Sequence, residues 1–157
     1  MTVIAGYTDG KHLAIAGDSG AFEESGLYQI AKEPKVWQAG DSLIGVSGSF
    51  RVMEIARKSG MGDPYGLRDH LKEMQPGGEW NVLVVTKKAL YEIDSEYGVV
   101  KFAENYCAIG AGNAVAMGAL AVLATLKLDS DQVVRLALKI SGKHSNFAMP
   151  PFTVVRI

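Results

Sequence analysis

The chain reads as an α+β protein in which helix pairs cover a largely antiparallel β-sandwich. Two observations predict this. Short apolar, β-rich runs recur between Gly-containing turns, and two pairs of segments carry helical spacing instead. The resulting order is strands, two helices, strands, two helices, strand, which suits layered packing around one sandwich. At 157 residues with 48% hydrophobic content, the expectation is a single domain over 1–157 with a buried core.

The first run, Thr2 to Tyr7, and the second, His12 to Ala16, flank Asp9-Gly10, a hairpin signal. This hairpin returns the chain to its start and sets Asp18 near Thr2. Gly20 to Gly26 is small and acidic and is expected to be a turn or loop, with Leu27 to Ala31 extended after it. Pro34 holds the chain extended ahead of Lys35-Val-Trp37. Gly40-Asp41 then predicts a type I′ turn into the buried strand Leu43 to Val46. Ser47-Gly-Ser49 breaks that strand, and Phe50, Met53, Ile55 and Ala56 mark one face of a helix ending at Ser59-Gly60. A second helix is expected from Pro64 to Met74, closed by Pro76-Gly77-Gly78. Trp80 to Thr86 and Ala89 to Asp94 read as strands, the first apolar enough to be covered on both faces. Tyr106 to Ile109 is another short strand. Gly110-Ala-Gly-Asn113 opens a small-residue helix to Leu126, and Asp129 or Ser130 caps a last helix to about Ser141. Phe152 to Val154 closes the chain as an edge or terminal strand.

Composition removes several function classes. Sixteen basic and seventeen acidic residues are interspersed, and the pI is near 6.3. That gives no footprint for nucleic acid or an anionic membrane. The weakly polar run from Ala114 to Leu126 falls short of the ~20 residues of a membrane span. No secretory signal pattern stands at the start, so a cytoplasmic protein is expected. Cys107 is a lone thiol, and His12, His70 and His144 lie far apart with no ligand spacing, so no metal site is expected.

Three motifs that suggest chemistry have blander readings. Gly17-Asp18-Ser19-Gly20 looks like a serine-protease nucleophile motif, but only His12 precedes it. Gly45-Val-Ser-Gly-Ser49 misses the G-x-S-x-G elbow at its last position. Gly110-Ala-Gly-Asn-Ala-Val115 misses the third glycine of a dinucleotide fingerprint. The latter two read better as strand-to-helix turns.

Thr2 offers more. If Met1 is removed, Thr2 carries a hydroxyl nucleophile and an α-amine on one residue, and an ordinary α-amine titrates at about 7.7 to 8.0, in the range useful for a base. Gly48, at a strand-to-helix turn, suits a backbone donor for a developing oxyanion. Singly, Thr2, Asp18, Lys35 and Gly48 have ordinary roles: a strand start, a turn former, an exposed charge and a turn glycine.

Together they resemble the proteasome β-subunit and HslV family of N-terminal nucleophile hydrolases. The matching stretches are Thr2-Val-Ile, Leu13-Ala-Ile-Ala-Gly-Asp-Ser19, Lys35-Val-Trp37, Ser47-Gly-Ser49 and Ala108-Ile-Gly-Ala-Gly-Asn113, in the family's order over most of the chain. The resemblance implies a four-layer αββα sandwich. It implies Thr2 as nucleophile, Lys35 as the cation that keeps the amine a neutral base, Asp18 as its orienting partner and Gly48 as the oxyanion donor. It also implies a peptide or unfolded-protein substrate and a homo-oligomeric ring, with an ATP-driven unfoldase as a further partner, and no cofactor. The sequence departs from the pattern at Ala111, where the family carries serine, and in Ser141-Gly-Lys-His-Ser145, where it carries an acid; Ser145 is the candidate replacement. A catalytically silent scaffold and a small-molecule amidase are the alternatives.

Overall fold

The computed structural model describes residues 2–22 and 28–157. Met1, whose removal a free Thr2 requires, and the acidic stretch 23–27 lie outside the described residues.

Three antiparallel sheets are present among the described residues. The first joins β1 (Ile4–Thr8), β2 (Leu13–Gly17), β10 (Tyr106–Ile109) and β11 (Thr153–Arg156) in the order β10-β1-β2-β11. The second joins β5 (Val36–Ala39), β6 (Ser42–Ser47), β7 (Asn81–Val85), β8 (Leu90–Asp94) and β9 (Val99–Lys101) in chain order. A small ribbon pairs β3 (Gly20–Phe22) with β4 (Tyr28–Ile30). Four helices complete the described chain: α1 (Phe50–Ser59), α2 (Pro64–Met74), α3 (Asn113–Leu123) and α4 (Ser130–His144).

Alternation along the strands divides the core into three apolar layers, because successive side chains leave a strand on opposite faces. Ala5, Tyr7, Ala14, Ala16 and Ala108 pack outward against Leu120, Val134 and Leu138 of α3 and α4. Ile44, Val46, Val82, Val84 and Ile93 pack outward against Val52, Leu67 and Leu71 of α1 and α2. Between the sheets lie Ile4, Leu13, Ile15, Leu43, Leu83, Val85, Leu90 and Ile109. The architecture is therefore helices, sheet, sheet, helices, an α+β sandwich of four layers. The two sheets approach closely at Gly45, where an added Cβ would stand 2.5 Å from Ile4 Cγ2.

The helix termini follow their sequence signals. Ser49 Oγ accepts the Val52 N–H at 3.3 Å, Asp63 Oδ2 accepts that of Gly66 at 2.7 Å, and Gln132 Oε1 accepts that of Asp129 at 3.0 Å. Gly60 ends α1 in the left-handed conformation.

Several expectations change. Gly20–Phe22 is a strand, not a loop, because it pairs with β4. At the Gly40-Asp41 turn only Gly40 takes positive φ, +58°, so the turn is not type I′, which needs positive φ at both central residues. The face of α1 that is buried is Val52, Met53 and Ala56; Phe50 is 49% exposed. β9 is an addition to the expected strands: Val99-Val-Lys101 is only three residues long, none fully buried, and is a strand through its pairing with β8. α3 stops at Leu123, short of Leu126, and α4 runs on to His144.

Candidate active site

Both sheets contribute to one end of the inter-sheet layer. Thr2 precedes β1 and shares the parity of Ile4, so it faces the opposite sheet. Asp18 follows β2, and the β1–β2 register of Ile4 with Gly17 returns it to Thr2's neighbour. Its Oδ1 accepts the Val3 N–H at 3.1 Å, and its Oδ2 accepts the Gly20 N–H at 2.9 Å. These two bonds fix the carboxylate between the chain start and the β3 ribbon.

Lys35 comes from the second sheet, immediately ahead of β5. Its carbonyl accepts the Val46 N–H at 3.1 Å. Pro34 is held from outside by Arg57 of α1, whose guanidinium donates to the Pro34 carbonyl, pairs with Glu33 at 3.1 Å and lies 4.7 Å from the centre of the Trp37 ring. So anchored, the Lys35 side chain runs inward, and its Nζ donates to Thr2 Oγ1 at 2.8 Å, to Asp18 Oδ1 at 3.0 Å and to the Gly20 carbonyl. Thr2, Asp18 and Lys35 are 7%, 2% and 3% exposed. Burial pushes the Lys35 ammonium's pKa down, and the Asp18 charge and hydrogen bond oppose that shift.

Gly48 sits between β6 and the N-cap of α1 with φ +97°, a conformation in which L side chains are strained. An added Cβ would meet Glu79 O at 2.5 Å and Trp80 Cα at 2.9 Å. Gly48 and Thr2 together border two clefts. One, of about 120 Å³, is walled by Phe22, Val46, Phe50 and Met53. The other, of about 480 Å³, is walled by Trp80, Asn81, Glu92 and Ala111.

The structure thus brings Thr2, Asp18, Lys35 and Gly48 to one place. Ser145 stands further out, lining neither cleft, with its Oγ 3.4 Å from that of Ser141. Ser145 is the C-cap of α4, its Oγ donating to the Ser141 carbonyl at 2.8 Å. The closer α4 residue is Ser141, fully buried, whose Oγ donates to the Gly112 carbonyl at 3.2 Å, while the Gly112 N–H donates to the Thr2 carbonyl at 3.3 Å. Sequence reasoning passes over Ser141 and Arg57; the former's only signal is a small polar residue on the apolar face of α4. Among the described residues no cluster of His, Cys, Asp or Glu could hold a metal ion, and no helix is long and apolar enough to cross a membrane.

Chemically, the site places an ammonium on a hydroxyl beside the chain start, with a positive-φ glycine at the lip of the same clefts. Solved structures share this architecture. HslV from Trypanosoma brucei aligns with a TM-score of 0.80 and 20% identity, covering 99% of this chain and 98% of that one. BPH of Thiobacillus denitrificans aligns at 0.79 with 20% identity over 100% and 97% of the two chains. The same protein in complex with epoxomicin aligns at 0.79 with 21% identity over 100% and 98%. No protein-family model matches the sequence, and no curated protein sequence matches it. The chain accordingly has the αββα fold of HslV, as the sequence resemblance implied.

Proposed function

We propose that this protein is an N-terminal threonine hydrolase that cleaves peptide bonds, with Thr2 as nucleophile once it is the first residue. The observation that carries the reading is the buried Lys35 ammonium, 2.8 Å from Thr2 Oγ1 and 3.0 Å from Asp18 Oδ1. An ammonium in that place stabilises negative charge developing on the hydroxyl oxygen and disfavours protonation of a nearby α-amine. The α-amine of Thr2 takes the hydroxyl proton as Oγ1 bonds to the substrate carbonyl carbon. The Gly48 N–H supports the resulting oxyanion. Collapse expels the leaving amine, which receives that proton, and leaves an ester on Oγ1; water then attacks the ester and regenerates Thr2. Asp18 holds Lys35 in register throughout. The likeness in fold to HslV supports assembly into a ring with peptide or unfolded-protein substrates.

A second reading, a silent scaffold with the same fold, is favoured by one feature. Ala111 lines the larger cleft beside Thr2, where a hydroxyl would assist proton transfer, and Ser145 does not replace it.

Intact mass followed by treatment with an epoxyketone distinguishes the two. Loss of the Met1 mass and one adduct on Thr2, absent in Thr2→Ala, is the expected result. An intact Met1 with no adduct and no peptide hydrolysis would establish the scaffold instead.

A further inference from the structure

The two clefts at Thr2 differ in chemistry. The smaller one is bordered by Thr2 and Ser49 as well as by Phe22, Val46, Phe50 and Met53, and it has a single charged side chain, Lys35, which is already paired with Asp18. The larger one has two acidic side chains, Glu79 and Glu92, and no basic side chain in its lining. Glu92, the more buried of the two, is placed unusually. Leu90, Glu92 and Asp94 leave β8 on one face, and Leu90 of that set belongs to the inter-sheet core, so Glu92 points between the sheets at the end where Thr2 stands. Opposite it across the β7–β8 ladder is Leu83, another inter-sheet core residue.

A half-buried carboxylate among apolar side chains is costly without a partner of opposite charge. Among the described residues Glu92 has none. Its one hydrogen bond is from Asn81 Nδ2 to Oε1, at 2.7 Å. Asp94 nearby and Glu79 in the same lining are of like sign; burial first, and the Asp94 charge with it, push the Glu92 carboxyl's pKa up against the Asn81 hydrogen bond, which lowers it. Trp80 borders the same cleft, but its ring, 2% exposed, leaves the strand on the opposite face and packs with Val82, Val84 and Tyr97 beneath α1 and α2. A long side chain ending in a cation meets this lining: it reaches in from Thr2 past Gly48 and its charge meets the carboxylates of Glu92 and Glu79.

We propose that the cleft lined by Trp80, Asn81 and Glu92 is a subsite for a lysine or arginine side chain of the substrate, next to the bond cleaved at Thr2. This rests on the hydrolase reading and deepens it. The substrate then carries a basic residue on one side of the scissile amide, on the side of Thr2 that Glu92 borders.

The test uses the full-length protein and internally quenched peptides that differ only in having Lys, Gln or Glu at each position flanking the cleaved bond. The expected result is a preference in kcat/KM of about tenfold or more for Lys over Glu at one of the two positions. Glu92→Gln, which can retain a bond to Asn81, should bring that ratio close to one. High salt should leave most of the wild-type preference in place, because the pair is partly buried. An equal rate for Lys and Glu peptides at both positions would overturn the subsite, as would a preference that survives Glu92→Gln in full. In those cases an epoxyketone adduct on wild-type Thr2 shows that the hydrolase reading stands without the subsite. Absence of both adduct and turnover overturns the two together.

Discussion

Replacing Gly48 by alanine tests the site's geometry in one step. Two costs follow from its surroundings. Its φ of +97° strains an L residue, at about 1–2 kcal/mol. The new Cβ would stand 2.5 Å from Glu79 O and 2.9 Å from Trp80 Cα. Both contacts are backbone, so relief requires moving the β6–α1 turn against β7, at a further cost of about 1–3 kcal/mol. The sum is about 2–5 kcal/mol, and for a chain of this length each kcal/mol lowers Tm by about 3 °C, giving a fall of about 6–15 °C. Gly60→Ala is the control. Gly60 has φ +65°, and a Cβ added there would meet nothing within 4 Å. It therefore bears the strain alone and should lose about 3–6 °C. Turnover should separate the pair further, because a displaced Gly48 N–H costs about 100-fold in kcat and Gly60 lies outside both clefts. Thermal melts and peptide hydrolysis of both variants supply the comparison. If Gly48→Ala melts no lower than Gly60→Ala, the close approach of Gly48 to Glu79 and Trp80 is wrong, and the placement of its N–H falls with it.

Lys35→Met should lower turnover by on the order of 10⁴-fold, since residues acting as one catalytic unit fail together. The same variant carries a pH signature. The folded-state pKa of Lys35 lies below its unfolded value, so the unfolded chain binds the extra proton. Wild-type stability should therefore rise relative to Lys35→Met as pH climbs from the depressed folded pKa towards about 10.4. Melts of the two proteins over that range check it, and a flat or falling difference would contradict the burial of the ammonium. Cys107 is 4% exposed, and burial first, with the Glu92 charge second, pushes its thiol up to about 12. It should resist a thiol reagent at pH 8 in the native protein and react fully in denaturant; rapid native labelling would refute that packing.

Much of the fold is legible in the sequence because its signals are local. Short apolar runs, the Asp9-Gly10 hairpin, the place though not the type of the Gly40-Asp41 turn and the Asp129 cap are each written within a few residues. β3 escapes because its sequence, Gly20-Ala-Phe22, has no alternation of its own and is a strand only through pairing with Tyr28–Ile30. The grouping of Thr2, Asp18, Lys35 and Gly48 is legible by resemblance, whereas their contacts depend on two sheets meeting. Arg57 and Ser141 are not legible for the same reason. Arg57 acts through the carbonyl of Pro34, 23 positions away, and Ser141 through that of Gly112, 29 positions away. Glu92 is hidden by its parity: in Leu90-Tyr-Glu-Ile-Asp94 the face bearing two acids has the pattern of a solvent face, yet it meets the other sheet.

The inter-sheet seam has a consequence for the life of the chain before folding is complete. Thr2 and Asp18 belong to one sheet and Lys35 and Gly48 to the other. A nascent chain with only its first hairpin formed has the hydroxyl but no ammonium beside it, and the second sheet alone has an ammonium with nothing to act on. Thr2 and Lys35 meet where the two sheets pack, the same packing that sets Ile4 and Ile15 against Gly45. On the proposed hydrolase reading, packing of the two sheets is what brings nucleophile and cation together, so a copy with either sheet unformed holds no complete site.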